Sequence, residues 1–263
     1  MVDILYLDTN ILRFSKIVNM VIPKIIHYCW FGTKPLPESA QKCILSWKKY
    51  FPDYEIREWN EHNFNVKMIP YTTEAYRLKK YAFVSDYARF WILYNYGGIY
   101  FDTDVEVVRS FNDILDRGAF MGSQDPKENE SDLEPASGLG LGIEAGNFLI
   151  KEILEWYESH HFANFRAKAR PNVVHIVTAL FKKHTITNLG SNNYSVDNKI
   201  IVYASEYFCP INYRTGKMTI TDKTHSIHHF AATWVDNRKK GLFLELWNRI
   251  KWISVLILSY CKM

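Results

Sequence analysis

The sequence predicts an α/β fold with a mostly parallel sheet flanked by helices. Three observations carry this prediction. Short runs rich in β-branched and aromatic residues recur at 22–30, 54–59 and 99–101. The segments between them place apolar residues at helical spacing. The order strand–helix–strand–helix–strand requires crossover connections, which set neighbouring strands parallel in an open sheet.

Each element has its own justification. IPKIIHYCW, Ile22 to Trp30, reads as a first buried strand, followed by the loop Gly32 to Pro37. From Glu38 to Phe51 the residues Ala40, Ile44, Leu45, Trp47, Tyr50 and Phe51 fall largely on one helical face, and Pro52-Asp53 breaks the helix. Tyr54 to Trp59 is a second strand. Thr73 to Tyr96 reads as one long helix with Phe83, Tyr87, Phe90, Trp91 and Tyr94 inward, closed by Gly97-Gly98. Ile99 to Phe101 is the third strand. Residues 123–138 are polar and acidic without periodicity, and read as a mobile loop. Phe148 to His160 is a helix, 173–183 and 199–209 suggest a helix and a strand, and 213–224 resembles a hairpin around Thr215-Gly216. Gly241 to Tyr260 is strongly apolar and reads as a terminal helix.

Composition narrows the classes. The chain has 263 residues, 48% hydrophobic, 16% aromatic and 23% charged, which describes a packed globular protein rather than a disordered one. Net charge is +4 with no long basic tract, so no nucleic-acid partner is implied. Eight tryptophans and 17 tyrosines fit an aromatic-rich core first, with a site that stacks against rings or sugars as the alternative. Cys29, Cys43, Cys209 and Cys261 form no CxxC pair, so neither zinc nor a redox dithiol is signalled; Cys29 and Cys209 read as buried thiols of a reducing compartment. No signal peptide and no spanning helix are expected.

The chemistry-bearing residues converge on the third strand. Asp102 and Asp104 follow it, two apart, so on a continuing strand both side chains share a face. Ligands of α/β sheets bind at the carboxyl ends of strands. Two close carboxylates repel unless a cation or proton lies between them, and oxygen ligands suit Mg²⁺ or Mn²⁺. A solvated turn is the alternative. Upstream, Asp86 and Arg89 are three apart on one helical face: a surface ion pair, or a hydroxyl acceptor and a phosphate or sugar contact. Late in the chain, His225, His228 and His229 cluster before Trp234. If Ser226 to Phe230 is extended, His228 and His229 point to opposite faces, and only one can join the carboxylates.

Together IPKIIHYCWFG (22–32), SDYARFWILYNYGGIYFDTDV (85–105), EYFCPINY (206–213) and SIHHFAATW (226–234) resemble the DxD-containing sugar transferases of the capsular-polysaccharide and yeast-type α-mannosyltransferase group, and more distantly the glucosylating domain of large clostridial toxins. The resemblance covers about residues 21–235. It implies a GT-A fold (the nucleotide-diphospho-sugar transferase fold) and a nucleotide-diphosphate sugar donor bound through Mn²⁺ or Mg²⁺. It implies retention of anomeric configuration, so no general base is assigned. Asp102 and Asp104 match the DxD pair, and Asp86 and Arg89 the donor-sugar and nucleotide contacts. Trp30 matches an aromatic near the base, and Tyr100 the aromatic before the DxD. His228 matches a late metal or diphosphate ligand, with His229 the second candidate, and Trp234 a closing tryptophan at the leaving diphosphate. Where the family has Ser-Trp, this chain has Thr233-Trp234.

The implied organisation is an N-terminal extension, 1–20, a catalytic domain, 21–240, and an apolar or amphipathic helix, 241–263. The stretch YLDTNIL, Tyr6 to Leu12, resembles the opening strand of PIN-type nucleases, but that likeness stops within a dozen residues. Trp247, Arg249, Lys251 and Trp252 would let the terminal helix lie at a membrane interface, or it docks on the core. The expected acceptor is a glycan or lipid-linked glycan of cell-surface polysaccharide (capsule or lipopolysaccharide) synthesis, with the protein cytoplasmic or at the inner face of the cytoplasmic membrane. Two other readings stay open: a haloacid-dehalogenase-like phosphatase with Asp102 as nucleophile and Asp104 as acid/base, and a non-catalytic carbohydrate-binding relic.

Overall fold

The computed structural model describes residues 21–124, 134–164, 171–211 and 217–231. The expectations for 1–20, Thr215-Gly216, Trp234, Cys261 and 241–263 lie outside the described residues.

The elements run β1 (Ile25–Cys29), α1 (Glu38–Tyr50), β2 (Glu55–Trp59), α2 (Pro70–Arg77), α3 (Tyr81–Tyr96), β3 (Gly98–Tyr100), β4 (Val105–Val107), α4 (Asn112–Leu115), β5 (Phe120–Gly122), β6 (Leu141–Ile143), α5 (Phe148–Glu158), α6 (Val173–Phe181), β7 (Ile186–Gly190), β8 (Asn193–Val196), β9 (Ile200–Tyr203), α7 (Ser205–Phe208) and β10 (Ser226–His228). Eight strands form one sheet in the order β2-β1-β3-β6-β5-β9-β8-β7, and β10 pairs with β4 in a second, two-stranded sheet. β1 is parallel to both β2 and β3, as the crossovers require. β6 runs against β3 and β5, and β8 runs against β7 and β9, while β5 and β9 are parallel. Followed across the sheet, only β6 and β8 oppose the common direction. This is the mostly parallel α/β architecture that the sequence predicts.

The sheet is covered on both faces, which is why β1 reads as a continuous apolar run. Ile26 and Tyr28 belong to one core with Trp47 of α1, Phe101 and Phe111. Cys29 belongs to the other, with Tyr87 and Phe90 of α3, Tyr100 and Ile150 of α5. Cys29 and Cys209 are buried thiols, as expected.

The expected helix from Thr73 to Tyr96 is two helices. α2 ends at Arg77, and Lys79 adopts a left-handed conformation at φ 57° before α3 begins at Tyr81. No glycine or proline marks this break. α3 is also buried more widely than one face: Val84, Ala88, Ile92 and Leu93 join Tyr87 and Phe90, whereas Phe83, Trp91 and Tyr94 are only half-buried.

The glycine pair does close α3. The Gly97 N–H donates to Leu93 O (2.8 Å), and Gly97 and Gly98 sit at φ 63° and 102°, a region other residues rarely adopt. A side chain on Gly98 would place its Cβ 2.6 Å from Ile25 O, so only glycine lets α3 turn directly into β3 beside β1. His27 fixes the same corner. It accepts from Trp59 Nε1 (3.0 Å) at Nδ1, so its Nε2–H faces Gly97 O (3.0 Å), and burial pushes its pKa down to about 4. The neutral ring therefore bonds β2 and the end of α3 to β1. Among the described residues, no helix is long and apolar enough to cross a membrane.

Candidate active site

Asp102 and Asp104 lie on the short link between β3 and β4, at the carboxyl end of β3. The link is held rigidly. Trp47 Nε1 of α1 donates to Val105 O (2.8 Å), and the Val107 N–H donates to Ser46 Oγ (2.9 Å), so α1 anchors β4 directly after the pair. β4 then pairs antiparallel with β10, with His228 opposite Val105. That register carries a residue more than 120 positions away onto Asp104. His228 Nε2 lies 3.1 Å from Asp104 Oδ1, and one ligand atom each from Asp102, Asp104 and His228 fit within 4.8 Å of one another.

The backbone after β10 completes the hold on Asp104. The His229 N–H donates to Asp104 O (3.0 Å) and the Ala231 N–H to Asp104 Oδ2 (2.8 Å), after Phe230 turns the chain at φ 47°. Burial alone would raise the Asp104 carboxyl; the His228 imidazole and the Ala231 N–H outweigh it and hold the group at about 2. Burial pushes His228 down, yet the Asp104 carboxylate draws it above its ordinary value. Among the described residues, the buried His228 Nδ1 has no hydrogen-bond partner.

Asp102 is held from the opposite side, by α3. Arg89, only 3% exposed, brings Nη2 to 2.9 Å from Asp86 Oδ1 and 3.2 Å from Asp102 Oδ1. Its Nη1 donates to Ser137 Oγ (3.1 Å) and its Nε to Ser85 O (3.3 Å). The guanidinium lies 4.9 Å above the Tyr100 ring, whose hydroxyl donates to Asp102 Oδ1 (3.1 Å). The surface-pair reading of Asp86 and Arg89 is therefore replaced by a buried network. Burial pushes Asp86 up to about 6 against the pull of Arg89. In Arg89 itself the surrounding carboxylates and Tyr100 overcome burial and keep the cation firmly charged.

The structure thus sorts the expected residues. Asp102, Asp104 and His228 come together. Arg89 directs its donors to protein partners, and Tyr100 is 1% exposed; both stand behind Asp102 rather than open to a ligand. His229 is not brought to the pair. Following the strand's alternation, it leaves on the other face and its Nε2 meets Glu106 Oε2 at 2.8 Å. His225 is also separate, buried between Lys223 O and Asp113. Trp30 ends β1 half-exposed, with its Nε1 donating to Lys34 O (2.8 Å). It lines a hollow of about 220 Å³ with Glu58, Asn60, Glu61 and His62.

The segment 123–138, expected to be a mobile polar loop, is fixed at both described ends. Ser123 bridges Pro135, and Ser137 is fully buried against Arg89. Sequence reasoning missed Ser137 and Gly138 because short polar residues after an acidic stretch carry no burial signal.

Residues 37–121 match the family described as "Glycosyltransferase sugar-binding region containing DXD motif". Over that region the chain is similar to the DXD-motif glycosyltransferases. A Schizosaccharomyces pombe relative, "Inositol phosphoceramide mannosyltransferase 3", is 32% identical over 133 residues, covering 45% of this chain and 36% of that protein. The chain thus matches about a third of the length of that relative. A mimivirus relative, "Uncharacterized glycosyltransferase L373" of Acanthamoeba polyphaga mimivirus, is 27% identical over 83% of this chain and 86% of its own length. Among solved structures, "PaToxG Glycosyltransferase" superposes with TM-score 0.48 at 22% identity, over 62% of this chain and 70% of that one.

Proposed function

We propose that this protein is a glycosyltransferase that moves a sugar from a nucleotide-diphosphate donor to a glycan or lipid-linked glycan, with a divalent ion at Asp102, Asp104 and His228. The observation that carries the reading is the β4–β10 pairing, which sets an imidazole against the DXD carboxylates. Two carboxylates and one imidazole suit Mn²⁺, and the carboxylates alone suit Mg²⁺. When bound, the ion offsets the charge that develops on the leaving diphosphate.

The chain's own residues do the rest. Arg89 and Tyr100 hold Asp102 in position, and His228 and the Ala231 N–H hold Asp104 ionised and oriented. Asp86 keeps a partly accessible carboxylate beside Arg89, suited to accept from a sugar hydroxyl. Trp30 offers a ring face for the base. No general base is assigned, consistent with retention of configuration. The fungal relatives are named for mannosyl transfer to inositol phosphoceramide, which favours a hexose donor, UDP- or GDP-linked, and a lipid-anchored acceptor. A role in capsule or lipopolysaccharide synthesis, with 241–263 touching the inner face of the membrane and 1–20 as an appended extension, belongs to the same proposal.

A panel of UDP- and GDP-hexoses tests it, scored by thermal stabilisation with Mn²⁺ and by release of nucleoside diphosphate. One donor should raise stability and turn over. Stabilisation without turnover supports a binding relic. Indifference to every nucleotide sugar, with hydrolysis of a simple phosphate monoester, supports the phosphatase.

A further inference from the structure

We propose that the turn Ser137-Gly138 is a positioning element for the DXD pair, and that its missing side chain is what sets the Asp102 carboxylate. The inference rests on the metal-dependent reading of the site. Three contacts on two consecutive residues carry it. Gly138 O accepts the Asp102 N–H at 3.0 Å, which fixes the backbone of the first carboxylate. Ser137 Oγ accepts from Arg89 Nη1 at 3.1 Å, which fixes the cation that faces that carboxylate. A Cβ on Gly138 would fall 2.0 Å from Asp102 Oδ2, 2.8 Å from its Cγ and 3.1 Å from Arg89 Nη1.

The third contact separates positioning from folding. Gly138 does not need a glycine backbone, because it is not among the residues at positive φ. Only space demands glycine there. The atom that must yield is the end of a side chain, not backbone, and Asp102 is about a third exposed, so the carboxylate has room to swing away. The turn itself is independently held, by the Leu139 N–H to Ala136 O (3.1 Å) and the Ala136 N–H to Gly122 O (2.8 Å). An added methyl should therefore leave the fold intact and displace one ligand. Ser137 and Gly138 touch the ligand and its cation, not the ion or the sugar, so they are positioning residues.

The test uses the full chain as Gly138→Ala and Ser137→Ala. Mn²⁺ is titrated without donor, following the free ion by electron paramagnetic resonance, alongside thermal melts. The expected result is a wild-type melt for Gly138→Ala with Mn²⁺ affinity lowered about 10–100-fold, the usual effect of losing an orienting partner. Transfer should then show a raised KM for Mn²⁺ with kcat restored at saturating ion, a split that a merely structural role would not produce. Ser137→Ala should weaken Mn²⁺ in the same direction by less, and decides the matter if Gly138→Ala does not fold. Unchanged Mn²⁺ affinity in folded variants of a wild type that binds the ion overturns the positioning role alone. A wild type that binds neither Mn²⁺ nor Mg²⁺ overturns the functional reading instead.

Discussion

His184 and His228 both face carboxylates, and their difference shows what a site looks like. His184, just after α6, is finished: Nδ1 lies 2.6 Å from Asp197 Oδ2 and Nε2 2.8 Å from Glu152 Oε2. Both ring nitrogens face acceptors, so the ring is satisfied only as a cation, and hydrogen bonding to Glu152 is the main cause of its raised pKa. His228 is unfinished: one nitrogen meets Asp104 and the other is buried with no partner. A closed ion triad joins α5, α6 and the β8–β9 turn and asks for nothing more. The other sets an imidazole beside two carboxylates and leaves one of its ring nitrogens without a partner among the described residues.

The sharpest way to break this contrast is Asp104→Asn. The amide keeps the shape and can still face His228, so the melt should stay close to wild type. Sugar transfer should fall by at least about 10²–10³-fold, the scale of losing a charge-stabilising group at the reaction centre. Full activity in this variant would remove the DXD pair from the chemistry.

Legibility of fold and site followed the same physical divide. β1, α1 and β2 were readable because buried apolar runs and helical spacing persist over enough residues to show a period, and β3, with three residues, was marked instead by Gly97-Gly98 before it and the aspartates after it. β4, β5, β6 and β10 have three residues each, too few for any alternation to declare itself. The α2–α3 break rests on a left-handed Lys79, a residue with no turn signature. In the site, Asp102 and Asp104 announce themselves as a charged pair after an apolar strand. That His228 rather than His229 reaches them depends on strand register, and one residue of slip would reverse it. Ser137 and Gly138 were silent because their role is contact and absent volume, not composition.

Arg89 tests the closed part of the active centre. Replaced by Met, which fills similar space, it leaves Asp86 and Asp102 without their shared cation. Stability should drop by about 3–5 kcal/mol, as when one partner of a buried ion network is removed. Chemical denaturation reads this directly, and a change below about 1 kcal/mol would show that the network is hydrated rather than buried.

His228→Ala tests the open triad, and its effect should lie in binding more than in stability. Mn²⁺ affinity should fall at least about tenfold, with a stability loss smaller than that of Arg89→Met, since Asp104 keeps the Ala231 N–H. His229→Ala is the companion, expected to leave Mn²⁺ affinity unchanged because its ring is spent on Glu106. Equal losses in both variants would mean that the β4–β10 register is misassigned.

The smallest effect belongs to His184, and its pH dependence carries the information. Glu152 of α5 and Asp197 of the β8–β9 turn face the ring, with Phe148 against its edge (ring centroids 5.9 Å apart). Its folded pKa is raised above 6.5, so its stabilisation is complete below that value and is lost as pH rises through the higher folded one. Asp197 is held below its ordinary 3.8, first by the Thr185 N–H, so its share is lost only as pH falls below that range. The triad therefore stabilises most between about pH 4 and 6.5. Because Glu152 and Asp197 are partly exposed, each contact is a screened pair of small worth. Melts of His184→Gln against wild type should differ most near pH 5.5 and converge as pH rises through the raised folded pKa of the ring, with Mn²⁺ affinity untouched throughout. A gap that widens with pH would show the ring to be neutral in the folded state, and His184 would then lose its standing as the finished counterpart of His228.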